Sequence, residues 1–312
     1  MISVVIPLYN EEEVLRETYA RLSAVMTSLQ DAYELIFVND GSRDKTAEIA
    51  CALCEKDPRV RLISMSRNFG HQIAITAGMD YAQGDAVILI DADLQDPPEL
   101  IPEMVKKWKE GYEVVYGKRV KRNGETVFKK FTAKFYYRFL RRMTDVSIPC
   151  DTGDFRLMDR KVCDAMKKLS EKNRYVRGLV SWVGFRQYAL PYERDERFAG
   201  KTKYPLKKML RLASDGITSF SNKPLKIATY TGFFLSGLSF LYLLIVLGQK
   251  LLGYPTAWGW ASILAVQLFF NGVMLIMLGI IGTYIGRIYE ESKGRPLYIV
   301  AEEIGFPKDE EK

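Results

Sequence analysis

At 312 residues, 48% of them apolar and with a net charge of +7, the chain is long for one domain and short for three. The charge excess sits in two blocks with no base-reading motif beside them, which argues against a nucleic-acid partner. Cys51 and Cys54 form a single Cys-x-x-Cys with no second pair, so a zinc site lacks its other ligands and the four cysteines read as reduced thiols.

Residues 3–7 read as a first strand, so the N-terminal apolar run is the start of a sheet and not a signal peptide. Val14, Leu15, Leu22, Val25 and Leu29 give helical spacing over 12–29. A second strand, 33–39, stops at Asp40-Gly41-Ser42, and Ser42 or Asp44 can cap a helix reaching about residue 55. A strand at 60–64, a helix over 70–82 and a buried strand at 86–90 follow. Pro97-Pro98 opens a helix to residue 110, ahead of a strand at 114–117. This alternation predicts a mostly parallel sheet flanked by helices, with right-handed crossovers.

The pattern then changes. Residues 118–142 carry ten Lys or Arg against one acid, Glu125. Within 126–143, Phe128, Phe131, Phe135 and Phe139 share one helical face and Lys130, Lys134, Arg138 and Arg141 a neighbouring one, as in a helix lying among lipid headgroups. A second such segment is expected at 204–220. Residues 227–247 and 251–286 hold no charged residue, and each can span about 30 Å of hydrocarbon. The expectation is a domain over 1–225, a two-helix transmembrane hairpin over 226–289 (spans near 227–250 and 261–286) and a tail over 290–312. Both basic blocks, 118–142 and 197–226, precede the spans and Arg287, Lys293 and Arg295 follow them, while the connection carries only Lys250. The positive-inside rule then predicts a multi-pass protein of the plasma membrane with the domain and both termini cytoplasmic, its basic segments against anionic headgroups. Gly232, Gly237, Gly272, Gly279, Gly282 and Gly286 permit close helix contact and thus a homo-oligomer.

Polar residues cluster after the strands. The run 86–90 ends in Asp91-Ala92-Asp93, two carboxylates one residue apart at the C-terminal end of a strand, the end where open α/β sheets bind ligands. Hard oxygen ligands there suit Mg²⁺ or Mn²⁺ held with a diphosphate, which points to a nucleotide-sugar donor. Tyr9 can stack on a base, Asp40 can accept from a base or ribose, and Asp91 from ribose or sugar hydroxyls, with Asp93 and Gln95 on the metal. His71, the one histidine, reads as a helix cap or a loop contact.

The strings Val5-Ile6-Pro7-Leu8-Tyr9-Asn10-Glu11, Val38-Asn39-Asp40-Gly41-Ser42, Arg67-Asn68-Phe69-Gly70, Asp91-Ala92-Asp93-Leu94-Gln95 and Thr152-Gly153-Asp154-Phe155-Arg156 resemble the family 2 inverting glycosyltransferases. Among these the chain is most similar to the polyprenyl-phosphate group of dolichol-phosphate mannose synthase-like and bactoprenol glucosyl transferase enzymes. The resemblance implies a GT-A fold and donor contacts at Pro7, Tyr9, Glu11, Asp40, Asp91 and Ala92. It implies metal at Asp93 and Gln95, and Asp154 in the position of the catalytic base. Arg119, Lys130 and Lys134 match the region that meets phosphate groups. Arg197 and Lys203 match a loop closing on the diphosphate, with Lys201 and Thr202 where Glu and Ser are frequent. The activity it implies is transfer of one sugar, glucose from UDP-glucose first, to undecaprenyl phosphate in cell-envelope synthesis. The Gln-x-x-Arg-Trp string of processive synthases is absent. Alternatives are another sugar (mannose, GlcNAc or aminoarabinose type) or a non-catalytic scaffold that binds nucleotide-sugar.

Overall fold

The computed structural model describes residues 1–120, 149, 152–193, 223–252 and 259–307. The basic segments expected at 126–143 and 204–220, with Lys130, Lys134, Arg197 and Lys203, lie outside the described residues.

Among the described residues, β1 (Ile2–Leu8), β2 (Tyr33–Asn39), β3 (Val60–Met65), β4 (Ala86–Leu89), β5 (Val114–Arg119), β6 (Thr152–Asp159), β7 (Gln187–Tyr192) and β8 (Val300–Ile304) form one sheet. Its order is β7-β5-β6-β4-β1-β2-β3-β8. The helices are α1 (Leu15–Ser28), α2 (Thr46–Lys56), α3 (His71–Tyr81), α4 (Ile101–Lys109), α5 (Arg160–Lys167), α6 (Val176–Trp182), α7 (Lys223–Leu251) and α8 (Trp260–Ser292).

β1 and β2 are buried along their whole lengths, as strands covered on both faces must be. Their side chains alternate between two cores. Val4, Ile6, Leu35, Phe37 and Ile88 face one, with Leu15, Leu22 and Met26 of α1. Val5, Ile36, Val38, Val87 and Leu89 face the other, with α3, α5 and α6. α3 lies so close to the sheet that a Cβ on Gly78 would come within 2.1 Å of Val5 Cγ1.

Two features of the topology build the site. β1 pairs in parallel with both β2 and β4, so the chain winds outward through β3 and then returns to the other side of β1. That reversal opens a crevice beyond the C-terminal ends of β1 and β4. β6 then runs antiparallel to β4, with Leu89 opposite Arg156. Continued by two residues, the same register sets Asp91 opposite Asp154.

The sheet is therefore mostly parallel with antiparallel members, as expected for the class, but purely parallel winding stops at β4. The expected tail is also more than a tail. Residues 300–304 return as β8, antiparallel to β3. Tyr298 Oη donates to Asp80 at 3.0 Å and Phe306 packs edge-on against Tyr81 with ring centroids 5.2 Å apart. The C-terminal segment thus grips the end of α3.

α7 and α8 are long helices whose large apolar side chains face outward, among them Phe233, Phe234, Leu275 and Ile276. They extend past the expected spans, from Lys223 and to Ser292 respectively. Among the described residues one stretch, Val266–Ser292, is long and apolar enough to cross a membrane, with mean hydropathy 2.0. That is one candidate span where the sequence reading expects two. Cys51, Cys54 and Cys163 are free thiols, and burial pushes Cys54 and Cys163 up to about 12.

Candidate active site

The loops after β1 and β2 are cross-braced. Asn10, at φ +55°, accepts from the Arg43 amide at 2.9 Å and its own amide donates to Ser42 Oγ at 3.1 Å. The Glu11 amide donates to Thr46 Oγ1 at 2.8 Å. These bonds hold Tyr9 and Glu11 at the crevice, and Tyr9 is 37% exposed, as a stacking surface for a base must be. Pro7 and Ala92 are buried. Thr18 Oγ1 already donates to the Ala92 carbonyl. Both residues shape the floor of the crevice and offer it no polar side chain.

Asp40 has a structural task that spacing did not reveal. Its Oδ1 accepts from the Phe69 amide at 2.6 Å and its Oδ2 from the Gly70 amide at 2.9 Å. Burial raises its pKa, against the pull of those two bonds. The carboxylate thereby fixes the loop 67–70 over the sheet edge. Gly41 makes this possible: at φ +64° a Cβ there would meet the Arg67 carbonyl carbon at 2.6 Å.

The acidic couplet follows β4 through a tight turn. Leu94 is buried at φ +56°, an uncommon conformation for a side chain of its size and one that clusters at functional sites. The turn brings the Gln95 amide to Asp93 Oδ1 at 3.2 Å. Asp154 enters from β6 and is 4% exposed. Arg177 grips it through two bonds, Nε to Oδ1 at 2.9 Å and Nη2 to Oδ2 at 3.0 Å. Gln72 Nε2 donates to Oδ2 at 3.1 Å.

His71 lies between the two acids. Its Nε2 is 3.3 Å from Asp154 Oδ2 and 3.5 Å from Asp91 Oδ1. The capping expectation is thus corrected: Gly70 is the N-cap of α3, with no side-chain cap bond, and the imidazole bridges two carboxylates.

The charges settle accordingly. Burial works against the charged imidazole, but Asp91 and Asp154 carry His71 up to about 9. Burial, with Asp154, Asp96 and Asp93 nearby, pushes Asp91 up to about 6 against the pull of His71. Burial alone would raise Asp154 as well; Arg177 and His71 overcome it and hold the carboxyl well below the usual range. Arg156, buried on β6, donates to the carbonyls of Gly153 at 3.0 Å and Asp154 at 3.3 Å.

Arg119, at the end of β5, sits 3.5 Å from Asp96 Oδ1 and donates to Tyr192 Oη at 3.2 Å. It stands beside the site: a Cβ on Gly153 would meet its Nη2 at 2.6 Å.

The donor set suits a hard divalent cation. Asp91, Asp93, Asp96 and Asp154 gather negative charge, and its mutual repulsion is part of what raises Asp91. Among the described residues no three His, Cys, Asp or Glu side chains form a cage. Two oxygen ligands, Asp93 and Gln95, would leave the remaining positions to phosphates and water, the usual arrangement for Mg²⁺.

The structure thus brings Pro7, Tyr9, Glu11, Asp40, Asp91, Ala92, Asp93, Gln95, Arg119 and Asp154 to one edge of the sheet. Sequence reasoning missed His71, Gln72, Arg156 and Arg177. The signal available for Arg156 was an arginine two residues after Asp154, set between the apolar Phe155 and Leu157. For Arg177 there was none, because its partner lies 23 residues away on another element.

A family model described as glycosyl transferase family 2 matches residues 3–166. The uncharacterized glycosyltransferase YkcC of Bacillus subtilis is 64% identical over 97% of this chain and 94% of its own length. The bactoprenol glucosyl transferase of Shigella phage SfV is 43% identical over 97% of this chain and 98% of its own. The prophage bactoprenol glucosyl transferase homolog of Escherichia coli is 41% identical over 96% and 98%.

Proposed function

This chain belongs to glycosyl transferase family 2, in the polyprenyl-phosphate glucosyltransferase group, and from that premise we propose that it moves one glucose from UDP-glucose to a polyprenyl phosphate of the undecaprenyl type. Transfer takes place at the cytoplasmic face of the plasma membrane and inverts the anomeric carbon. The observation that carries this reading is the meeting of Asp91 and Asp154 around His71 at the sheet edge where β1 and β4 part. The lipid acceptor and the glucose draw support from the bactoprenol glucosyl transferases matched along nearly their whole length.

In this reading Tyr9, Glu11, Asp40 and Asp91, over a floor of Pro7 and Ala92, receive the nucleotide-sugar. Asp93 and Gln95 hold Mg²⁺ or Mn²⁺, which when bound neutralises charge growing on the departing diphosphate. The acceptor phosphate, with a second pKa of about 6, is largely dianionic at neutral pH and attacks without surrendering a proton. Asp154 then generates no nucleophile from the dianion; its carboxylate, which can only accept, orients the acceptor fraction that still carries the second proton by accepting from that P–OH. Arg119, Lys130, Lys134, Arg197 and Lys203 meet phosphate groups of donor and lipid.

Residues 1–225, completed by the strand that returns at 300–304, are the catalytic domain and 226–289 the two-span anchor, with basic segments near 126–143 and 204–220 on anionic headgroups and helix glycines serving a homo-oligomer. The return of residues 300–304 to the catalytic sheet supports placing both chain ends on one side of the bilayer.

The test is incubation of the full-length protein in detergent with undecaprenyl phosphate, Mg²⁺ and a panel of labelled nucleotide-sugars. Label from UDP-glucose is expected in the organic phase. Label from a different donor alone replaces the glucose assignment, and label from none of them refutes lipid transfer.

A further inference from the structure

Asp154 is held more tightly than a proton acceptor needs to be, and by elements far apart in sequence. Its Oδ2 receives Arg177 Nη2, Gln72 Nε2 and His71 Nε2, while among the described residues its Oδ1 receives Arg177 Nε. A carboxylate offers about four lone-pair positions in all. Oδ2 is therefore saturated, and among the described residues the capacity left for a substrate lies on Oδ1. Gln72 also has both ends of its amide committed, since its Oε1 accepts from the Val176 amide at 2.9 Å. The side chain ties α3, β6 and α6 together at one point, and only one amide orientation satisfies both bonds.

Resting on the reading of the site as a sugar-transfer centre, we propose that Arg177 and Gln72 are positioning residues. They clamp the Asp154 carboxylate in one orientation, with Oδ1 as the oxygen left to accept from substrate. Neither needs to touch the substrate. Arg177 matches the planar carboxylate with a two-bond fork that an ammonium group cannot reproduce. Gln72 fixes the rotation of that pair about the β6 strand. His71 completes the clamp and keeps Asp91 and Asp154 at a set distance, so the donor side and the opposite side of the crevice move as one unit. Errors of about 1 Å in such placement cost on the order of 10²-fold in rate.

The experiment compares full-length wild type with R177A, R177K and Q72A, measuring kcat, KM for both substrates, direct binding of the donor, and thermal stability. The clamp predicts that R177A and Q72A lose kcat by roughly 10²-fold while donor affinity holds. Added guanidinium at sub-denaturing concentration restores part of the R177A rate and none of the Q72A rate, and R177K recovers little. Because the chain has a single histidine, selective ¹⁵N labelling reports the His71 ring without overlap. Its resonances move in both R177A and Q72A.

Wild-type kinetics in both variants would overturn the proposal. So would a rate loss that merely tracks lost stability and donor binding, with no rescue by guanidinium. If the wild type itself transfers nothing to undecaprenyl phosphate, the lipid reading fails on that control. The clamp is then judged on the His71 resonances, and an unchanged imidazole spectrum in both variants refutes it.

Discussion

Gly78→Ala tests whether the packing of α3 sets the geometry of the site. The new Cβ would sit 2.1 Å from Val5 Cγ1 and 3.1 Å from Val38 Cγ2, where ordinary contact begins at 3.4 Å. Either Val5 or the whole helix must therefore give way by about 1.3 Å, the difference between 3.4 and 2.1 Å. Val5 is fully buried in the sheet and has nowhere to go, so the strain falls on α3. Overpacking of this kind costs about 1–3 kcal/mol, and each kcal/mol lowers Tm by roughly 2–4 °C in a domain of this size.

The same displacement reaches the chemistry. His71 and Gln72 stand on the first turn of α3, at 3.3 and 3.1 Å from Asp154, and neither bond survives an extra ångström. Gly78→Ala is expected to lower both Tm and kcat. Val5→Ala alone opens a cavity and destabilises, but in the double variant it removes the offending Cγ1. Tm and rate of the double variant should recover relative to Gly78→Ala, a coupling that thermal scans and glycolipid assays on the four proteins measure directly. A Gly78→Ala protein with wild-type stability and rate, or strictly additive losses in the double variant, would refute the reasoning.

Chelation by EDTA should abolish transfer, and Mn²⁺ or Mg²⁺ should restore it; full activity in excess chelator would remove the metal from the account. Tyr298→Phe deletes the phenol that donates to Asp80; it should cost about 1 kcal/mol and make the C-terminal strand more open to protease, and unchanged proteolysis would argue that β8 holds without it. The Arg59 guanidinium holds the Asp57 carboxyl below its ordinary value, so this pair contributes stability above about pH 3.9, the ordinary carboxylate value, and loses it as pH falls through the lowered pKa. The Tm gap between wild type and Asp57→Asn should therefore be widest at neutral pH and close in acid, with a size at or below about 1 kcal/mol because Arg59 is half exposed; a gap that widens on acidification would contradict the pairing.

What the sequence made legible is local. The apolar runs of β1 to β4 and the helical spacing of α1 announce themselves within a window of a dozen residues, and the Asp pair after a buried strand marks a ligand edge when taken with the polar residues that follow β1 and β2. The antiparallel strands were not legible, because nothing in residues 152–159 or 300–304 names a partner strand. β6 pairs across some 70 residues with β4, and β8 across more than 200 with β3. His71 illustrates the same limit. As a lone histidine after a glycine it fits a helix start, and only the pairing of β4 with β6 brings Asp91 and Asp154 to either side of it. Asp40 was found for a base contact, yet the structure first employs it to hold the backbone of Phe69 and Gly70. The long apolar helices α7 and α8 were legible in composition, since runs free of charge need no long-range information, although among the described residues one stretch and not two is long and apolar enough to cross a membrane. Their continuation into a strand that returns to the catalytic sheet was not.

The acidic couplet of Asp91 and Asp93 is the centre of the proposed chemistry. Wild type, Asp91→Ala and Asp93→Ala should be purified in parallel and assayed for labelled sugar carried from UDP-glucose into undecaprenyl phosphate with Mg²⁺ present. Loss of glycolipid in both variants, with the fold intact by thermal scan, is the predicted result. Glycolipid formed at the wild-type rate by either variant would contradict it.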